Sequence, residues 1–159
     1  MQNIIESPAG LIHLIASTFA LIFGAMVLVM HKGTKNHVKI GYAYFVSMLL
    51  LIATAFMIYR LFDGWGIFHY LTVTSLITLL IGMVPIWLKP KNINWKYLHF
   101  CFMYWSVIGL YAAFAAELLT RIPQTPFMGM VGVATGVIML FGTIIFGKNK
   151  KKWSLAFGK

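Results

Sequence analysis

Acidic residues and cysteines are nearly absent from this chain of 159 residues, which has three Asp and Glu residues in total and one Cys. A single cysteine excludes a disulfide within the chain and a zinc site built on paired thiolates. Charged residues of either sign make up only 10% of the sequence, whereas 60% of it is hydrophobic. Because soluble domains carry about 25% charged residues, this composition is typical of a protein that crosses a membrane several times.

Five apolar segments are each near the length that a helix needs to cross a bilayer, about 20 residues. We expect spans at residues 8–30, 38–59, 67–88, 96–120 and 127–146, followed by a basic tail at residues 147–159. Short loops favour antiparallel neighbours. The sequence therefore predicts an all-α integral membrane protein of one domain, an up-down four-helix transmembrane bundle with a fifth transmembrane helix.

The amino-terminal apolar segment does not have the pattern of a cleaved signal peptide. Glu6 precedes it, no basic residue does, and the segment is longer than the apolar region of a signal peptide. We therefore expect the first span to remain in the mature protein.

Basic residues are distributed unevenly between the two ends of these spans. Eleven lysines fall in or beside the loops after the first and third spans and in the tail, whereas only Arg60 and Arg121 fall at the other end. Since basic loops stay in the cytoplasm, this pattern predicts an outer amino terminus and a cytoplasmic tail. We expect the tail and Trp153 to lie on anionic lipid headgroups. Despite the net charge of +10, short clusters between apolar segments argue against nucleic-acid binding.

All five histidines fall near the ends of the predicted spans, at two depths. The outer layer holds His13, His69, Glu117 and Arg121, and the inner layer holds His31, His37 and His99. His99 and Glu117 are 18 residues apart, about five helical turns, so they share one face of the fourth span. Ionisable residues inside a span are candidates for function, so we treat both layers as candidate sites.

The histidines also pair across the predicted bundle. In an up-down bundle, spans one and three lie on one diagonal and spans two and four on the other. We expect His13 to face His69 in the outer half, and His37 to face His99 in the inner half. This arrangement resembles that of the transmembrane di-haem b-type cytochromes. The resemblance implies bis-histidine haem b sites at these four residues, and electron transfer across the membrane with a quinol or another redox partner.

Short stretches of the chain are similar to an uncharacterised family of small bacterial membrane proteins. The similar stretches are residues 10–13, residues 32–34 with His37 and Gly41, and residues 116–117 with Arg121. The resemblance supports a single-domain unit and brings no activity with it. We expect a multi-pass protein of the bacterial cytoplasmic (inner) membrane.

Two further hypotheses use the same residues. His13, His69 and Glu117 would hold zinc, iron or copper in a metal-dependent membrane enzyme, with Glu117 as general base and Arg121 beside it at the catalytic centre. Alternatively, the chain is a non-catalytic assembly subunit in which polar residues only hold helices together, and Glu117 and Arg121 form an ion pair at a helix end. Gly132 and Gly136 form a close-packing motif, which would either pack the fifth span on the four-helix core or provide a homodimer contact.

Overall fold

The computed structural model describes residues 7–58 and 65–157, and this part of the chain contains helices and no strands. The helices are α1 (Pro8–Val29), α2 (Lys35–Ala55), α3 (Ile67–Leu88), α4 (Trp95–Leu119) and α5 (Phe127–Phe157). All five are long and apolar enough to cross a membrane. The prediction of an all-α protein with five candidate spans is therefore confirmed.

Side-chain caps explain where three of the helices begin. Each cap accepts a hydrogen bond of 3.1 Å from the backbone N–H three residues further on, and the capping residues are Ser7, Thr34 and Asn94. Such caps satisfy amides that have no partner within the helix. Because Thr34 is a cap, α2 starts at Lys35, before the predicted residue 38. It ends at Ala55, and the predicted end at Tyr59 and the charge of Arg60 lie outside the described residues.

Helix α5 differs most from the prediction, because it continues through the segment predicted as a basic tail and ends at Phe157. Lysine is a good helix former, so the basic sequence does not interrupt the helix. Trp153 packs against Phe100 and Tyr104 of α4, with ring centroids 4.9 and 5.5 Å apart. Trp153 therefore contacts α4, and the contact of the basic segment with anionic lipid headgroups remains a prediction.

The chain divides into two compact units, Met1–Leu76 and Ile77–Lys159, with the boundary inside α3. In the first unit α1 packs along α2, and in the second α4 packs along α5. Residues that are fully buried include Ala20 and Tyr44 in the first unit and Leu79 and Val107 in the second. The opposite faces of the helices expose large apolar side chains, as lipid-facing surfaces do.

Candidate functional site

His13 makes a hydrogen bond from α1 to α2. Its Nδ1 lies 3.1 Å from Oγ1 of Thr54, which also lies 2.8 Å from the carbonyl oxygen of Leu50. The single proton of the Thr54 hydroxyl has three acceptors within reach, the carbonyls of Leu50 and Leu51 and Nδ1 of His13. The direction of the bond to His13 therefore depends on the tautomer of its ring.

His69 is the third residue of α3, and its ring caps the start of that helix. Gly66 N–H donates to Nδ1 of His69 at 3.1 Å, and His69 N–H donates to the carbonyl of Gly66 at 3.0 Å. The bond to the ring is one half of a capping box, in which Glu or Gln usually holds the third position, and the backbone carbonyl of Gly66 replaces the usual N-cap side chain. The ring is buried, and it stacks on Trp65 with centroids 5.5 Å apart. The His69 ring therefore stabilises the entry into α3.

The predicted outer pair lies at one end of the first unit. His13 bonds to Thr54, and the His69 ring lies 6.4 Å, centroid to centroid, from Phe56, two residues further along. Nδ1 of His69 accepts from the Gly66 N–H, whereas Nδ1 of His13 bonds a hydroxyl that can donate or accept. A metal-bound imidazole donates its other ring N–H and uses its lone pair on the metal. By this test the contacts of His69 do not fit a haem ligand, and those of His13 fit the tautomer with the proton on Nδ1.

His99 makes a hydrogen bond from α4 to α3. Its Nδ1 lies 2.7 Å from the carbonyl oxygen of Gly82, and a carbonyl only accepts, so Nδ1 carries the proton. Gly82 also permits close packing at this point, because a Cβ there would lie 2.9 Å from Sδ of Met103. The histidine bond and the close approach of α3 to α4 therefore occur at the same place, and the lone pair of His99 lies on Nε2.

His37 is the third residue of α2. Its backbone N–H donates to Oγ1 of Thr34 at 3.1 Å, and its Nδ1 is buried. His37 belongs to the first unit and His99 to the second, so their inner pairing remains a prediction. His31 is exposed in the loop between α1 and α2, where its carbonyl accepts from the Thr34 hydroxyl at 3.1 Å.

Lys32 has a structural role in addition to its predicted effect on the orientation of the chain in the membrane. Its Nζ donates to the carbonyls of Val27, Leu28 and Met30 at 2.7, 2.7 and 2.9 Å. These carbonyls lie in or beside the last turn of α1, where no further helical N–H is available, and a cation there interacts favourably with the helix dipole. Burial lowers the pKa of the Lys32 ammonium below its usual value. The sequence signal for this cap is a lysine just after the span and before Gly33, whose φ is 79°.

Tyr104, like Lys32, makes a contact that the sequence did not indicate. Its hydroxyl donates to the carbonyl of Gly142 on α5 at 2.8 Å, and its side chain is buried. A Cβ at Gly142 would lie 2.7 Å from Cγ2 of Ile108. A glycine thus again coincides with a hydrogen bond between two helices, as it does at Gly82. A Tyr on one span with a Gly on the next is too common in membrane helices to have indicated the contact in advance.

Glu117 and Arg121 form the ion pair expected at the end of α4. Nη2 of Arg121 donates to Oε1 of Glu117 at 2.6 Å, and the side chains are 52% and 43% exposed, respectively. The stripe that runs from His99 towards Glu117 is buried at Met103, Ser106 and Leu110 and half-buried at Ala113. The carboxylate itself turns towards Arg121.

The described residues, which include His13, His69 and Glu117, contain no set of ligands of the kind that the metal-enzyme hypothesis requires. Across residues 7–58 and 65–157, no group of three or more His, Cys, Asp or Glu side chains could hold a metal ion. A zinc, iron or copper centre at these three residues therefore remains a prediction from sequence.

No protein-family model, curated protein or solved structure matches this chain. The two family resemblances therefore remain expectations, and the function is inferred from the geometry of the polar residues.

Proposed function

We propose that this chain is a non-catalytic membrane assembly subunit, in which polar residues hold the helices together. One observation carries the proposal: three pairs of helices are each joined by a hydrogen bond from a polar side chain. The three bonds are His13 to Thr54 between α1 and α2, His99 to Gly82 between α3 and α4, and Tyr104 to Gly142 between α4 and α5.

The lipid environment explains why such bonds matter. Lipid tails are as apolar as leucine, so helices in a membrane associate through close packing and hydrogen bonds. A hydrogen bond between two membrane helices contributes about 0.6 kcal/mol, and at most about 1.7 kcal/mol. Gly82 and Gly142 combine both contributions at single points. His69 and Lys32 satisfy backbone groups at helix ends. These contacts give structural roles to His13, His69 and His99, which supports the proposal.

An assembly subunit needs a surface for a partner, and we assign it to Gly132 and Gly136 of α5. Both are exposed, and a Cβ at either would meet no atom within 4 Å. Glycines four residues apart let another helix approach closely. In this proposal the partner is a second copy of the chain, and each copy is an up-down bundle in a bacterial inner membrane, with the amino terminus outside.

Cysteine cross-linking in membranes tests this surface. Cys101 is the only cysteine of the chain, so Gly136→Cys in a Cys101→Ser background introduces a single thiol on the proposed face. We expect oxidation to produce a covalent dimer. Thr135→Cys is the matched control, because it is the neighbouring residue and half-buried, and we expect it to remain monomeric. Equal cross-linking of both variants, or of neither, would rule out this dimer face.

The second candidate function is transmembrane electron transfer with haem b. It is supported by the tautomer of His99, which donates through Nδ1 to the Gly82 carbonyl and places the ring lone pair on Nε2, as haem-ligating imidazoles do. The haem would supply one-electron redox chemistry, and His99 would bind its iron. The bond from Gly66 to His69 does not fit the outer bis-histidine pair.

An absorption spectrum and a metal analysis of the purified chain separate the candidates. A Soret band that disappears in His99→Ala and persists in His69→Gln supports the haem candidate. Colourless protein with stoichiometric zinc, iron or copper supports the metal enzyme instead. Colourless protein without stoichiometric metal is the result that the assembly proposal predicts.

A further inference from the structure

Helix α5 is longer than a bilayer requires. Its 31 residues extend about 46 Å at 1.5 Å per residue, whereas the hydrocarbon core is about 30 Å thick. The apolar part, residues 127–146, is long enough to fill the core. Lys148 to Lys152 then lie about 3–9 Å beyond it. This is the depth of the lipid headgroups, which add about 5–8 Å on each side.

Three of these lysines share the face of α5 that points away from α4. Gly142, Phe146 and Trp153 contact α4. At about 100° per residue these three define one side of the helix. The other side carries an arc of about 100° with three exposed lysines, Lys148, Lys151 and Lys152. Three ammonium groups therefore lie on one side of α5, facing away from α4.

The aromatic contacts of Trp153 hold this basic face in place. Trp153 packs on Phe100, Tyr104 and Phe146 with centroids 4.9, 5.5 and 5.7 Å apart. Phe100 lies in the second turn of α4, so the end of α5 runs beside the start of α4. The exposed Lys96 of α4 lies at the same end.

The lysine face has no acidic counterpart within its own unit. The only Asp or Glu in residues 77–159 is Glu117, which lies at the opposite end of α4 and pairs with Arg121. Lys148 is three and four residues from Lys151 and Lys152, and like charges at these spacings destabilise a helix. An anion bound across the face would relieve this repulsion, and Trp153 reduces the cost of ordering the site before binding.

We propose that Lys148, Lys151 and Lys152, which we call the lysine face, bind the phosphates of anionic phospholipid headgroups in the leaflet at this end of α5. The depth of the face favours lipid over an acidic protein segment, because headgroups surround the helix at that level. Each lysine near an anionic surface strengthens binding about fivefold. This inference does not depend on the assembly function, since it concerns lipid contacts of a single copy.

Native mass spectrometry of the full chain tests the proposal directly. The protein is released from detergent micelles that contain equal amounts of phosphatidylglycerol and phosphatidylcholine, and the two bound lipids are counted. We expect the unmodified chain to retain phosphatidylglycerol preferentially. In Lys148→Gln/Lys151→Gln/Lys152→Gln we expect the preference to fall at least tenfold, because the variant loses three charges.

Two controls separate charge, position and folding. The triple Lys→Arg variant at the same positions keeps the charge and should keep the preference. Lys150→Gln removes a lysine outside the lysine face and should change the preference at most about fivefold. Helix content by circular dichroism should match in all variants, since the three side chains are exposed.

Three results would overturn the proposal. They are an unmodified chain with no lipid preference, a triple Gln variant that keeps its preference, and copurification of an acidic protein that only the lysine face captures. The last result would assign the face to a protein partner.

Discussion

At the scale of the residue, the role of a histidine depends on which ring nitrogen carries the proton. His13 and His69 lie at one end of the first unit, and their positions in the apolar segments indicate a similar depth. The sequence could not predict that Nδ1 of His13 bonds a hydroxyl whereas Nδ1 of His69 accepts a backbone N–H. That difference depends on Thr54 and Gly66, which are brought close by helix packing and by the turn before α3.

Replacing His69 separates capping from iron binding. Gln places an acceptor at the same position of a capping box, so His69→Gln should retain most of the stability. His69→Ala should lower the free energy of unfolding by about 1 kcal/mol through the lost cap, and somewhat more through the lost contact with Trp65. Thermal unfolding in detergent measures both. His31→Ala, at an exposed loop position, is the control, and equal losses from Gln and Ala would contradict the capping role.

Lys32 provides a second prediction at this scale. Lys32→Met keeps the apolar stem but removes the donor to three carbonyls of α1, so we expect a loss of about 1.5–3 kcal/mol in unfolding free energy, as for other hydrogen bonds from charged groups. Lys35→Met removes the same charge from an exposed position at the start of α2 and should have little effect. If chemical denaturation gives the two variants equal stability, Lys32 is not a cap.

At the scale of the element, apolar length predicted the five spans but not their ends or their contacts. Helix α2 ends at Ala55, inside the apolar segment that predicted a span to residue 59. Helix α5 continues because Trp153 finds aromatic partners on α4, and a sequence pattern contains no information about that distant surface. The glycines at residues 82 and 142 were also indistinguishable from other span glycines until their neighbours were known.

Alanine substitutions at glycine positions test the helix contacts. In Gly82→Ala and Gly142→Ala the new Cβ would lie 2.9 Å from Met103 Sδ and 2.7 Å from Ile108 Cγ2. We expect each to lower the unfolding free energy by about 1–3 kcal/mol through overpacking. Gly109→Ala meets no atom within 4 Å and should be neutral, or stabilising by up to about 1 kcal/mol from helix propensity. A similar effect at all three sites would mean that propensity, not packing, determines the result.

At the scale of the whole molecule, composition was the strongest predictor. Few charges and five apolar segments are sufficient to predict a multi-pass helical protein. Inside a bilayer, an apolar segment of this length satisfies its backbone hydrogen bonds by forming a helix. The division into two compact units inside α3 could not be predicted, since no linker or change of composition marks it.

The orientation of the chain can be tested with reporter fusions. The lysine distribution predicts that a fluorescent protein fused after Lys159 folds in the cytoplasm and fluoresces, and that alkaline phosphatase fused there is inactive. A phosphatase fusion after Thr125, in the loop between α4 and α5, should be active. The reverse pattern would show that the loop charges do not determine the orientation.

The central claim is that the polar residues of the spans join helices. A double-mutant cycle on His13 and Thr54 tests it most directly, with unfolding free energies measured for His13→Ala, Thr54→Val and the double variant. We expect a coupling of about 0.6–1.7 kcal/mol, the range for hydrogen bonds between membrane helices. A coupling of zero, together with loss of a bound chromophore in His13→Ala, would contradict the account and assign His13 to a cofactor.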